Sequence, residues 1–312
     1  MRHEVKSPTP KVFSSWNPAA KKSFSAPTRG KILAWGKSQL KVLGKTEARA
    51  SAEIILGQVL GCERLRLYIE TQEPVPVQVF KKYQRLVAQR KKRVPVDYLF
   101  KESHFWNEIL EVGPGCLIPR PSTESLVEKF IEKSGFEKQD SFSFLDLGCG
   151  SGAIGIALLR HFPKARAVFS DISQQALLMT RKNLVRYRLL KRARLVRSDL
   201  FGVFEHEKKR PVWDAVLSNP PYLSDEDLKK LQPEILYEPH VALTGGRYGV
   251  DFYKTIARQA PSFLKKDGVL IFEMGKGQAR QIKKWCLDSF ATVEIFKDYA
   301  GIDRVLIARL HG

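Results

Sequence analysis

Two short segments of this 312-residue chain carry side chains whose types and spacing could do chemistry. Asn219-Pro220-Pro221-Tyr222 follows the apolar run Val212-Trp213-Asp214-Ala215-Val216-Leu217, which puts it at the carboxyl end of a buried strand, where open α/β sheets bind ligands. Asn-Pro and Pro-Pro also punctuate ordinary loops, and it is the position that favours chemistry. An amide or aromatic-amine nitrogen is a poor nucleophile because its lone pair is delocalised. An enzyme must therefore grip both N–H hydrogens and aim the lone pair at an electrophilic methyl. The Asn219 side-chain carbonyl and a nearby backbone carbonyl supply two acceptors, Pro220 and Pro221 stiffen the backbone, and Tyr222 offers a flat face to a planar group. The implied reaction is methyl transfer from S-adenosylmethionine to an sp² nitrogen. Adenine and glutamine both present such an NH₂, so this motif alone does not choose between them.

The second segment is Leu145-Asp146-Leu147-Gly148-Cys149-Gly150-Ser151-Gly152, where a strand meets a helix. Glycines serve there because the chain turns sharply and a Cβ would hold the backbone away from a nucleotide. Gly148, Gly150 and Ala153 also fit the dinucleotide spacing, so this segment leaves nicotinamide binding and a purely structural turn open. Asp171 closes Ala167-Val168-Phe169-Ser170 and stands where an acid would hold ribose hydroxyls; it could instead cap the next helix, a task open to Ser173.

The elements that must position these residues follow from periodicity. Beyond Ser122 apolar strands (142–147, 167–170, 193–196, 212–217 and 269–272) alternate with helices (153–161, 174–187, 252–264 and 279–289). This alternation predicts a doubly wound, mostly parallel sheet, and the strand-like runs 292–296 and 304–309 predict an antiparallel hairpin at its edge. Residues 30–94 read as a small helical domain, with Gly44 and Gly61 as caps and Pro95 as its stop. Residues 95–121 read as an extended β-hairpin linker, with Gly113-Pro114-Gly115 turning into Cys116-Leu117-Ile118.

Composition narrows the class. The chain is 43% hydrophobic with 53 Lys/Arg against 33 Asp/Glu, and the first 100 residues hold 20 of those bases against 7 acids. A basic surface attracts RNA, ribosomes or acidic proteins without specifying a fold. No apolar run is long enough to span a membrane, and Cys62, Cys116, Cys149 and Cys286 lie far apart with no zinc spacing, so no metal and a reducing, cytoplasmic setting are expected. Residues 1–29, rich in Pro, Ser and Lys, lack the apolar core of a secretory signal, share the basic, acid-poor character of a transit peptide, and are expected to be a disordered tail. The runs Arg90-Lys91-Lys92-Arg93 and 181–197, the latter with eight bases and no acid, read as solvated helix faces; docking of RNA or an acidic partner is the alternative for the second.

Several further segments occur in order: Leu117-Ile118-Pro119-Arg120-Pro121-Ser122-Thr123-Glu124, Ser198-Asp199-Leu200-Phe201, Tyr237-Glu238-Pro239, Ala242-Leu243-Thr244-Gly245-Gly246, Glu273-Met274-Gly275 with Gln278, and 298–304. With the two motifs above, the chain from about Arg90 onward resembles the HemK/PrmC-type protein-(glutamine-N5) methyltransferases that modify peptide-chain release factors. The resemblance implies a Rossmann-like, seven-stranded S-adenosylmethionine-dependent methyltransferase domain over 122–312, with a substrate-docking helical domain before it. It implies a monomer acting on the Gly-Gly-Gln glutamine of class 1 release factors and releasing S-adenosylhomocysteine. By that resemblance Gly148, Cys149, Gly150, Ser151, Gly152 and Asp171 hold the methionine and ribose of the cofactor, and Asp199 with Leu200 the adenine. Asn219, Pro220, Pro221 and Tyr222 take the glutamine, 118–124 shapes the pocket entrance, and Asp146 supports the glycine loop. Ser122 departs from the pattern by replacing a usual acid, as does Cys149 by replacing a frequent Thr. A ribosomal-protein glutamine methyltransferase and an N6-adenine nucleic-acid enzyme are the alternatives.

Overall fold

The computed structural model describes residues 26–311; of the tail expected over 1–29, residues 1–25 lie outside the described residues. Residues 26–29, expected to belong to that tail, are structured: the Val75 N–H donates to the Pro27 carbonyl (3.0 Å), Thr28 bridges Pro74, and Arg29 opens the first helix. The chain divides into two compact units between Val87 and Ala88, earlier than the break at Pro95 that the sequence suggests.

In the first unit α1 (Arg29–Gln39), α2 (Lys45–Leu60), α3 (Arg66–Ile69) and α4 (Val77–Lys91, which runs across the division) follow one another. Gly61, in the left-handed region at φ 64°, ends α2 as expected. Ile32, Leu33, Ile55, Leu56 and Tyr83 are buried together, and the Tyr83 hydroxyl donates to the Ala52 carbonyl (3.2 Å). Glu53 is buried as well. Burial alone would raise its carboxyl pKa, but hydrogen bonds from Tyr68, Arg49, Lys37 and Arg64 outweigh burial and hold it at about 2.

The second unit departs from the sequence reading at its start. Pro95 caps a short helix, α5 (Val96–Phe100), where extended chain was expected. The hairpin is β1 (Glu102–Phe105) with β2 (Glu108–Glu111), turning at Trp106-Asn107, and residues 116–118 form no strand. An unanticipated helix, α6 (Pro121–Lys133), follows with Pro121 in its first turn. Then come β3 (Ser143–Leu147), α7 (Ala153–His161), β4 (Arg166–Asp171), α8 (Gln174–Arg186), β5 (Ala193–Arg197), α9 (Gly202–Glu205) and β6 (Trp213–Ser218). The chain continues through α10 (Asp225–Leu228), α11 (Asp251–Gln259), β7 (Leu264–Glu273), α12 (Ala279–Leu287), β8 (Thr292–Lys297) and β9 (Asp303–Arg309).

The seven-stranded sheet has the order β5-β4-β3-β6-β7-β9-β8, with the first five strands parallel and β9 and β8 antiparallel at the edge. This is the doubly wound α/β arrangement. Alternation sorts the central strands between two cores: Phe144, Ala215, Leu217, Val269 and Ile271 meet Phe130, Leu158 and Leu184 of α6, α7 and α8. Leu145, Leu147, Val216, Leu270 and Phe272 meet Phe204, Ile256 and Ile282 of α9, α11 and α12.

The charge runs are less solvated than expected. Arg90 is buried and pairs with Glu234 (3.0 Å), as does Arg93 (3.1 Å). Of the bases between 181 and 197, Arg186 pairs with Glu102 and Arg194 with Glu207 (both 2.9 Å), Arg192 caps the carbonyls of Leu159, Phe162 and Ala165, and Arg197 donates to the Ile172 carbonyl (3.1 Å). Arg181, Arg188 and Lys191 are exposed.

The Glu53 cluster sets a pH dependence. A carboxyl depressed in the folded state stabilises above its unfolded pKa, and that stability is lost as pH falls toward the folded value. Glu53→Gln is therefore expected to lower the chemical-denaturation free energy by about 1–3 kcal/mol at neutral pH. The difference from the parent should shrink as pH falls from 4.5 toward about 2; a difference unchanged across that window would reject the cluster as the cause.

Candidate active site

β3 and β6 are parallel neighbours paired Leu147 to Ser218, and the Ser218 hydroxyl donates to the Leu147 carbonyl (2.8 Å). The loops that begin at Gly148 and Asn219 consequently leave the sheet side by side. Gly148 (φ 73°) and Gly150 (φ 58°) adopt the left-handed region, and a Cβ added at either would meet no atom within 4 Å, so both give open backbone to the space in front of them. α8 holds the loop from its other side. Thr180 Oγ1 donates to the Gly150 carbonyl (2.9 Å), and Asn183 Nδ2 donates to the Ser151 carbonyl (2.9 Å).

Asp171, the last residue of β4, accepts from the Gly150 N–H at Oδ2 (2.9 Å) and from the Ser173 N–H at Oδ1 (2.8 Å). Ser173 caps α8 by accepting from the Ala176 N–H (3.2 Å), so Asp171 is free of that task. Burial raises the Asp171 pKa, against the pull of the Ser173, Gly150 and Ile172 N–H groups. Asp146 is fully enclosed and accepts from the Gly155 N–H (2.9 Å) in the first turn of α7; burial first, then the Asp171 charge, pushes it up to about 7.

A cavity of about 280 Å³ opens here, lined among others by Gly148, Gly150, Asp171, Asp199, Leu200 and Phe252. A second, of about 150 Å³, is lined by Arg120, Tyr222, Leu223, Leu231, Ile235 and Leu243. Leu117, Asn219, Pro220, Pro221 and Ala242 line both. The shared wall is held rigidly. Gln278 donates to the carbonyls of Tyr222 (2.9 Å) and Gly249 (3.0 Å) while accepting from the Gly275 N–H (2.9 Å). Gly245 lies so close that a Cβ would stand 2.6 Å from the Pro221 carbonyl. On the opposite side the buried Glu238 accepts from the Ile118 N–H (2.9 Å) and from Arg120 (2.6 Å). Burial, then the Glu273 charge, raises the Tyr222 phenol above its ordinary pKa.

Comparison with known proteins decides the family. Residues 31–100 match the model of the PrmC N-terminal domain and residues 121–248 that of the methyltransferase small domain. A release factor glutamine methyltransferase of Chlorobaculum tepidum is 36% identical over 264 residues, covering 83% of this chain and 90% of the relative. The enzyme of that name from Bacillus subtilis is 34% identical over 284 residues, covering 89% and 96%. The chain belongs to the release factor glutamine methyltransferase family. Its fold is shared with the 16S rRNA N2 G1207 methyltransferase of T. thermophilus, solved with AdoMet and guanosine, at a TM-score of 0.50 and 19% identity over 67% of this chain and 50% of that one.

Within this family member the two motifs found in the sequence meet, but not every residue of them faces the cavities. Gly148, Gly150, Asp171, Asp199, Leu200, Asn219, Pro220 and Pro221 line the larger cavity, and Tyr222 only the smaller. Cys149, Ser151 and Gly152 line neither: Cys149 Sγ lies 3.4 Å from Thr180 Oγ1, and a Cβ on Gly152 would stand 2.9 Å from the Thr180 methyl. Glu124, expected at the entrance, instead accepts from the Trp106 N–H in the hairpin turn (2.7 Å). Sequence reasoning missed Asn183, Phe252 and the part Thr123 plays. Ala242 and Glu238 are marked in the sequence only by their match to the family pattern.

Glu238 generates a test of the wall. Glu238→Ala leaves the Ile118 N–H and Arg120 without their acceptor, and hydrogen exchange of the Ile118 amide should speed by about tenfold or more. Unchanged protection would show that the segment is held by other contacts.

Proposed function

We propose that this enzyme transfers a methyl group from S-adenosylmethionine to the side-chain amide nitrogen of the glutamine in the Gly-Gly-Gln loop of class 1 release factors. One observation carries the reading: two cavities, one beside a glycine loop and the half-buried Asp171 carboxylate and one smaller, share Asn219, Pro220 and Pro221 as their common wall. A donor in the first and an acceptor in the second would meet there. The names of the relatives supply the substrate class.

The residues of the larger cavity suit the cofactor. Gly148 and Gly150 leave backbone bare where a nucleoside-linked amino acid would lie, and the Asp171 carboxylate keeps a lone pair beyond the N–H groups it accepts. That carboxylate is assigned to the ribose hydroxyls, Asp199 and Leu200 to the adenine, and the Gly148–Gly150 backbone to the methionine portion. When bound, S-adenosylmethionine supplies the electrophilic methyl. The protein's part is orientation. Asn219 Oδ1 and a backbone carbonyl of its turn accept the two N–H hydrogens of the glutamine amide, and Tyr222 flanks the amide plane.

A glutamine side chain is too small to distinguish one protein from another. Selection is therefore assigned to contacts away from the chemistry, with the basic helical domain as the docking module acting on encounter rate. The alternatives, a ribosomal protein, RNA or DNA as acceptor, are separated by one experiment: incubation with tritiated S-adenosylmethionine and each acceptor in parallel. Label is expected on the release factor alone.

Asn219→Ala is expected to lower kcat by about 100-fold or more while leaving the cofactor dissociation constant close to that of the parent, because only acceptor orientation is lost. Asp171→Ala should instead weaken cofactor binding by about tenfold or more, through loss of charge-assisted hydrogen bonds. Calorimetric titration checks both; collapse of cofactor affinity in Asn219→Ala, or unchanged affinity in Asp171→Ala, would reject the respective role.

A further inference from the structure

We propose that Thr123 and Glu273 are positioning residues that decide which edge of the Asn219 amide faces the acceptor. The proposal rests on the reading that Asn219 receives the glutamine amide. Asn219 Nδ2 lies 3.0 Å from Thr123 Oγ1, and Thr123 Oγ1 lies 2.5 Å from Glu273 Oε2, with Ser122 Oγ donating to Glu273 Oε1 (3.0 Å). Thr123 and Glu273 are buried. Ser218 pairs with Phe272 across β6 and β7, so Asn219, the first residue after β6, lies beside Glu273, the last of β7, and Thr123 of α6 hydrogen-bonds to both.

Proton counting fixes the orientation. An amide side chain can present either its oxygen or its NH₂ with almost the same shape, so only its partner chooses. Thr123 has one hydroxyl proton, and an ionised carboxylate can only accept, so that proton belongs to Glu273. What Thr123 then offers Asn219 is a lone pair, which only an NH₂ can use. The opposite orientation would set Asn219 Oδ1 against an oxygen with no proton to give. Nδ2 is therefore anchored, and Oδ1 is left on the other edge of the amide, where it has no hydrogen-bond partner among the described residues. That is the acceptor a substrate N–H requires. Ser122 adds a second hydroxyl donor to the same carboxylate, on its other oxygen, so each Glu273 oxygen accepts from a hydroxyl. Burial raises the Glu273 pKa; the Thr123 and Ser122 hydroxyls, and after them the charges of Arg304 and Arg120, pull toward the ionised form in which the carboxylate only accepts.

The test uses the full chain, S-adenosylhomocysteine titration for affinity, and steady-state kinetics on a Gly-Gly-Gln peptide. Thr123→Val keeps the shape, removes the hydroxyl and leaves the Asn219 amide free to turn; kcat should fall by about 10- to 100-fold while S-adenosylhomocysteine affinity stays within about threefold. Putting a hydroxyl back as Thr123→Ser should restore most of the lost rate. Glu273→Gln should resemble Thr123→Val, since a Gln N–H can donate to Thr123 and release its proton toward Asn219. Should Glu273→Gln fail to fold, the Val and Ser pair decides alone. A Thr123→Val enzyme with parental kcat, a loss of cofactor affinity matching the loss of rate, or a folded Thr123→Ser enzyme as slow as the Val variant would overturn the proposal. If Asn219→Ala is inactive while Thr123→Val is fully active, only the positioning role falls; if Asn219→Ala is itself active, the underlying reading falls.

Discussion

The site depends on one register. β3 and β6 are neighbours in space although α7, β4, α8, β5 and α9 intervene in sequence, and their pairing sets Leu147 opposite Ser218. Because both strands run parallel and end together, the glycine loop and the Asn219 turn emerge next to each other at the carboxyl edge, at the point where the strand order reverses. A one-residue slip would send Leu145 and Leu147 from the core under α11 and α12 to the opposite face. The burial of both faces of these strands is thus what keeps the two halves of the site in line.

On this frame the loops are tied by buried or half-buried polar groups, each with assigned partners. Asn183 joins Ser151 to the backbone of Glu111, Gln278 joins Tyr222 to Gly249 and Gly275, and Glu238 joins Ile118 to Arg120. A buried amide or carboxylate is expensive when its partner is lost, so each such residue selects one loop arrangement over its neighbours rather than adding much net stability. Glu273 belongs to this group, and through Thr123 it reaches a side chain that the chemistry is assigned to.

Periodicity made the parallel strands and their helices legible, because alternation and helical spacing are local properties. The Gly and Asn-Pro-Pro-Tyr loops were legible because special backbone and stiff turns leave marks in composition. What escaped has nonlocal or unmarked causes. The hairpin turn uses Trp106 at φ 55°, with no Gly or Asn-Gly to announce it. α5 was hidden by Pro95, which reads as a helix stop but caps the start of a helix, α4 having already ended at Lys91. Arg90 looked like a solvated cation because Glu234, which pairs with it, stands 144 residues away. Likewise Thr123 and Glu273 are 150 residues apart, and no spacing rule connects them.

The most direct measurement is a crystal structure of the enzyme with S-adenosylhomocysteine and a Gly-Gly-Gln peptide. The expected result is the glutamine side chain in the smaller cavity, its amide nitrogen about 2.7–3.2 Å from Asn219 Oδ1, with the sulfur of S-adenosylhomocysteine across the Asn219–Pro221 wall. A glutamine seated elsewhere, or an Asn219 amide turned so that Oδ1 faces Thr123, would contradict it.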